Sequence, residues 1–119
     1  MATRGYVPDA SEVVCLEFDP QAGHEQGGHK QAGHRPALVI SPASYNGKTG
    51  LMVCCPMTTN IKGNPFEVVT QVDGADCAVL SDQVKSLDWR VRNAKKKAVV
   101  PAHVMLHVRA KMKALRMIF

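Results

Sequence analysis

The alternation of apolar and polar positions breaks this chain into short pieces. Glu12–Phe18 (EVVCLEF) predicts a short strand, apolar and β-branched at its start. Asp19–Arg35 is polar and glycine-rich, a loop ended by Pro36. Pro36–Ile40 (PALVI) follows as a continuous apolar run suited to a central strand. Ser41–Gly50 (SPASYNGKTG) holds a proline, an Asn46-Gly47 step and a closing glycine, which predict a turn, with Asn-Gly favouring a hairpin. Leu51–Pro56 predicts another strand and Thr58–Pro65 a polar loop. Phe66–Val72 and Cys77–Leu80 predict two strands about an Asp73-Gly74 turn, and Lys95–Val100 a last strand.

From Ala102 the period changes. Met105, Val108, Met112 and Leu115 recur at helical spacing, with Arg109, Lys113 and Arg116 on another face, and Pro101 stands where a helix start tolerates proline. Several short antiparallel strands followed by one amphipathic helix make a small β-barrel with an appended helix the natural architecture.

The 119 residues fit one domain with one core, 1–119. No apolar run approaches the roughly 20 residues a membrane span needs, and the start MATRGYVPDASE is not a signal peptide. These features predict a soluble cytoplasmic protein. Cys15, Cys54, Cys55 and Cys77 form no CxxC pair, so reduced, partly buried thiols are expected, with Cys54 and Cys55 on opposite faces of a strand.

Charge is lopsided. Residues 1–88 hold six Lys/Arg and all ten acids, while residues 89–119 hold nine Lys/Arg and no acid. That polarity suits a polyanion such as nucleic acid, or an acidic protein partner; a solvated basic helix is the plain alternative.

The loop contains HEQGG (24–28) and then HKQAG (29–33), a near-tandem duplication that sets His24, His29 and His34 five residues apart. Imidazoles invite a metal, but a spacing of five in a glycine-rich loop fixes no ligand geometry, and duplication explains the period. No metal or cofactor is expected. His103 and His107 form an HxxxH pair that lacks the glutamate of a zinc-protease motif and reads as surface.

Taken together, YVPD (6–9), FDPQAGHEQ (18–26), AGHRPALVISP (32–42), YNGKTG (45–50), CPMTTNIKGNPFEV (55–68), LSDQVKSLDWRVR (80–92) and RAKMKAL (109–115) resemble the MazF/PemK family of bacterial ribonuclease toxins. The blocks run in order over nearly the whole chain, and the pentapeptide duplication is the main departure. The resemblance implies a mainly β fold: a small SH3-like antiparallel β-barrel of the CcdB/PemK kind with a C-terminal α-helix, in a homodimer. It also implies a metal-independent endoribonuclease that cuts single-stranded mRNA at a short, ACA-like motif. The implied partner is an acidic MazE-like antitoxin whose tail covers the RNA groove.

The resemblance places the family's catalytic arginine at Arg35, in GHRP, and its threonine at Thr58. RNA cleavage by the 2′-hydroxyl needs a proton removed, a proton donated and a charged phosphorane stabilised. A guanidinium fork can clamp phosphate oxygens, and a threonine hydroxyl can donate to them. The family's loop acid falls at Lys30 here, while Glu25 sits one repeat earlier; Glu25, His34 or His29 is left to serve as base. RNA contacts are expected from His34, Asn46, Thr59, Lys62, Gln83 and Lys85, whose amides can read base edges and whose ammonium groups hold phosphates. Trp89 is expected in the core or a dimer interface.

Three other readings stand beside this one. A non-catalytic CcdB-like toxin shares the fold but has no use for a phosphate-clamping arginine beside a hydroxyl. A plain single-strand-binding barrel would want more stacking aromatics than the six here. A toxin blunted by the loop insertion would keep its antitoxin and lose its cutting.

Overall fold

The computed structural model describes residues 5–17 and 33–115. The strands are β1 (Glu12–Glu17), β2 (His34–Val39), β3 (Leu51–Thr58), β4 (Glu67–Val72), β5 (Ala75–Leu80), β6 (Lys85–Asp88) and β7 (Lys95–Val99). Two helices accompany them, α1 (Ala43–Thr49) and α2 (Ala102–Ala114). All pairings are antiparallel, in the order β4-β5-β3-β2-β1-β7, with β6 on β3. Among the described residues β4 and β7 do not meet, so the sheet is a curled half-barrel. No helix is long and apolar enough to cross a membrane.

β3 organises the curl. One edge carries β2, with Ala37 opposite Pro56 and Val39 opposite Cys54. The other edge is divided: β6 lies along Leu51–Cys54 and β5 along Met57–Thr58. Pro56 sits at the changeover, where its missing N–H breaks no ladder bond. A register shift between Val13 and Val14 bends β1 against β7.

The pleat sorts the core onto two faces, and the adjacent thiols part company as their spacing requires. Cys55 and Met57 join Val13, Leu38 and Val79 under α2, which buries Val104, Met105, Val108 and Met112. Cys54 and Met52 join Val14, Leu16, Ala37, Val39 and Trp89 on the opposite face. Val108 and Met112 are fully buried, each stabilising the helix's seat by roughly 1.5–3 kcal/mol. Lys111 Nζ ties the last turn to the Pro65 carbonyl at 2.7 Å.

The expected Asp73-Gly74 hairpin forms: both residues have positive φ (53° and 82°) and Val72 pairs with Ala75. The expected hairpin at Asn46-Gly47 does not. That stretch is helix α1, and the left-handed residue that ends it is Gly50, at φ 78°. Tertiary hydrogen bonds overrode the local turn signal. Asp9 Oδ1 accepts the N–H of Ala43 at the first turn (2.9 Å), and Asn46 Nδ2 donates to the carbonyls of Pro8 (2.8 Å) and Ser41 (3.0 Å). Trp89 Nε1–H donates to the Asn46 carbonyl at 2.9 Å. The YVPD segment is therefore a clamp on α1. Strand β6 was not expected; four residues, KSLD, carry too little pattern to announce themselves, and the free edge of β3 recruits them.

Candidate active site

Two strands begin or end two residues further than their sequence suggests, and both extensions carry site residues. β2 starts at His34 rather than Pro36, because His34 and Arg35 pair with Glu17 and Leu16 of β1. β3 continues to Thr58, paired with Ala78 of β5. Arg35 has the parity of Ala37 and Val39, and Thr58 that of Met52 and Cys54. Both therefore stand on the sheet face opposite α2.

Thr58 also ends its strand chemically. Its Oγ1 accepts the N–H of Asn60 at 3.0 Å, which turns the chain and leaves the hydroxyl proton to donate elsewhere. The loop that follows is framed by Glu67, at the start of β4. One carboxylate oxygen accepts the N–H of Gly63 (2.7 Å) and the other that of Lys62 (3.2 Å). Gly63 takes φ 81°, a backbone conformation that favours glycine. Asn64 Oδ1 accepts the Phe66 N–H at 3.0 Å, so the loop is held from both ends.

These segments enclose a cavity of about 520 Å³. Arg35 and His34 enter from β2, and Thr58, Thr59 and Lys62 from the end of β3 and its loop. Gln83 and Lys85 come from the β5–β6 connection and the start of β6. Arg35, Lys62 and Lys85 outweigh the single carboxylate of Glu67, which is occupied by backbone N–H groups. An anion entering here meets cations, a hydroxyl and amides. Leu16, Ala37, Cys54 and Leu87 form the apolar floor. Burial pushes the Cys54 thiol up to about 11, against a weaker opposing pull from Lys85 and Arg92, so it is a neutral floor residue rather than a nucleophile.

Seven of the nine residues expected from sequence line this one cavity: His34, Arg35, Thr58, Thr59, Lys62, Gln83 and Lys85. Asn46 is a correction. Its side chain is fully buried, its amide is spent on Pro8 and Ser41, and its Oδ1 accepts the Ser41 hydroxyl at 2.6 Å. It pins α1 and does not line the cavity. Glu25, with His24 and His29, lies outside the described residues. Among the described residues no group of three or more potential ligands could hold a metal. None of the described Lys or Arg of the basic run 89–119 lines this cavity. Sequence reasoning missed Asn60, Asn64 and Glu67, although the NIKGNPFE stretch, with its two amides and one acid in a polar loop, carried the signal.

Comparison with known proteins now bears on the whole arrangement. A family model for the PemK-like, MazF-like toxin of type II toxin–antitoxin systems matches residues 9–115. The chain is 47% identical over 110 residues to the endoribonuclease toxin MazF of Escherichia coli strain K12, covering 92% of this chain and 95% of that one. It superposes on MazF of Deinococcus radiodurans with a TM-score of 0.78 at 50% identity, covering 95% of this chain and 99% of the other. On a MazE–MazF complex structure from the same organism (Form-III) the TM-score is 0.81 at 48% identity, covering 96% and 100%. The half-barrel with its C-terminal helix is thus the fold these relatives share, and the chain belongs to the PemK-like, MazF-like toxin family of type II toxin–antitoxin systems.

Proposed function

We propose that this chain is the toxin of a toxin–antitoxin pair and a sequence-specific endoribonuclease that cuts single-stranded mRNA at a short, ACA-like motif without a metal ion. The observation that carries the reading is the single cavity where Arg35 and Thr58 meet His34, Lys62, Gln83 and Lys85. The endoribonuclease name of the relative 47% identical to this chain supports the reaction class. The MazE–MazF complex supports a MazE-like antitoxin as partner; its acidity and a homodimeric working form follow from the family resemblance.

In the proposed reaction the ribose 2′-hydroxyl gives up its proton and bonds to phosphorus. The bond to the 5′-oxygen breaks as that oxygen takes a proton, leaving a 2′,3′-cyclic phosphate and a 5′-hydroxyl. Arg35 clamps the phosphorane through its planar fork of donors, and Thr58 adds a hydroxyl hydrogen bond to the same oxygens. A guanidinium keeps its proton at neutral pH, so Arg35 acts first as an electrostatic stabiliser. Lys62 and Lys85 hold the flanking phosphates, while Gln83 and Thr59 face base edges. In this scheme His34, which lines the cavity, takes the 2′ proton, with Glu25 in a lesser role. A His34→Ala variant should then cut markedly more slowly, and an unchanged rate and profile in Glu25→Ala would remove Glu25 from the scheme.

A plain single-strand-binding barrel gains no support, because among the described residues no Phe, Tyr or Trp lines the cavity. The test is incubation of purified protein, in EDTA, with a long unstructured RNA, followed by mapping of 5′ ends. Discrete cuts at one motif with new 5′-hydroxyls, lost in Arg35→Ala, are expected. Folded protein that binds the antitoxin and cuts nothing would mark a toxin blunted by the 24–33 duplication and overturn the nuclease reading.

A further inference from the structure

A second cavity, of about 550 Å³, lies beside the first and is lined by Tyr6, Trp89, Arg90, Asn93, Lys95 and Lys96. Leu87 lines the first cavity and Trp89 the second, two residues and roughly 7 Å apart along the chain. On β1, Leu16 lines the first cavity, and its neighbour Cys15 pairs with Lys95 of the second. Residues lining the two cavities are thus close neighbours at the end of β6 and across the β1–β7 pair.

The second cavity is built for an anion with a flat appendage. Three cations and no acid line it. Lys96 shares Glu12 at 3.6 Å, while Lys95 is exposed and has no ion pair among the described residues. Arg90 is held as a plane: its guanidinium lies 4.9 Å from the centroid of the buried Trp89 ring and donates to the Gly47 carbonyl at 3.2 Å. An exposed guanidinium fixed on an indole offers a ready surface for a base to stack upon. Elsewhere in the basic run, Lys97 pairs with Asp73 at 3.1 Å and Lys111 donates to the Pro65 carbonyl.

We propose that this second cavity is a flanking-nucleotide subsite for single-stranded RNA, in which Arg90 carries a base on its outer face and Lys95 and Lys96 hold the adjacent phosphates. The inference rests on the ribonuclease reading above and extends its substrate from a short motif to a longer footprint. It also gives the first part of the C-terminal charge excess a place in the function.

The test uses the full chain and two RNA oligonucleotides, one just spanning the mapped cut site and one extended by four nucleotides at either end in turn. Extension at one end should raise kcat/KM about ten-fold in the unaltered protein, the worth of one stacked base. Arg90→Lys, which keeps the charge and loses the plane, should remove most of that gain and leave the short substrate within about two-fold. Lys95→Ala with Lys96→Ala should lower the salt slope of binding by about 1.4, at roughly 0.7 per single-strand phosphate contact. No gain on extension at either end overturns the inference while leaving the nuclease intact. So does loss of antitoxin binding with unchanged RNA kinetics, which would assign the cavity to an acidic protein. Absence of any cutting on either oligonucleotide would instead strike at the nuclease reading itself.

Discussion

Arg35 and Thr58 come from strands that pair antiparallel, and the register that sets Ala37 opposite Pro56 brings the two abreast when carried two residues further. Both have the parity of the face away from α2, and both line the same cavity. Strand ends rather than loops thus set a guanidinium and a hydroxyl in the lining of one cavity.

That pairing sets distinct expectations for the two residues. Arg35→Ala should lower kcat by about 10²–10³-fold, the usual cost of removing a donor aimed at developing charge. Arg35→Lys should recover little, since an ammonium lacks the fork. Thr58→Ser should stay within a few-fold of the unaltered rate and Thr58→Val should fall roughly ten-fold, the hydroxyl being the difference. Single-turnover cleavage with circular dichroism as a fold control checks all three.

Asn46 should behave oppositely. Asn46→Ala removes an amide that satisfies the Pro8 and Ser41 carbonyls inside the protein, and so should destabilise it by about 2–4 kcal/mol. Cleavage per folded molecule should be unchanged. Urea denaturation against activity at low denaturant separates this from a base-reading role, which would leave stability intact and raise KM.

Glu67 frames the loop that carries Asn60, Lys62 and Asn64 to the cavity. Glu67→Gln replaces an acceptor with a donor facing backbone N–H groups, so the loop loses charge-assisted bonds. If the loop positions RNA as proposed and touches no reacting atom, KM should rise roughly three- to ten-fold with kcat little altered. Gly63→Ala, strained at φ 81° with open space around its Cβ, should reproduce the effect without altering Glu67.

Alkaline pH should weaken the fold. Burial raises the Cys54 thiol to about 11 and the Cys55 thiol to about 12, from an ordinary 9.0. Above pH 9 the unfolded chain releases these protons while the native one keeps them, so the native state binds more protons and stability falls as pH rises. The fall should approach about 1.4 kcal/mol per pH unit for each thiol between pH 9 and 11. Tyr6, pushed up by burial and by its bond to Glu12, adds to the same direction at higher pH. Denaturation midpoints at pH 8, 9.5 and 10.5, with Cys55→Ala giving a shallower slope, are the check. The same burial predicts that neither thiol reacts with alkylating agents before unfolding.

The sequence by itself determined the pieces whose signal is local. Val13 to Leu16, the Leu38 and Met52 runs and the Asp73-Gly74 turn carry strand period and turn chemistry in their own residues, and Met105, Val108 and Met112 carry the helical period. Ordered motif blocks likewise picked out Arg35, Thr58, Lys62, Gln83 and Lys85 as one set. Only the tertiary structure decided what those residues met. Asn46 looked like a turn and an RNA reader, yet partners in Pro8, Ser41 and Trp89, up to 43 positions away, made it a buried pin in a helix. Glu67 became a loop frame, and Arg90 a stacking plane, through contacts that no window of neighbouring residues contains. Periodicity records which face of an element is apolar; the occupant of that face is chosen by the fold, when β3 splits its edge between β5 and β6 and opens a cavity beside the division.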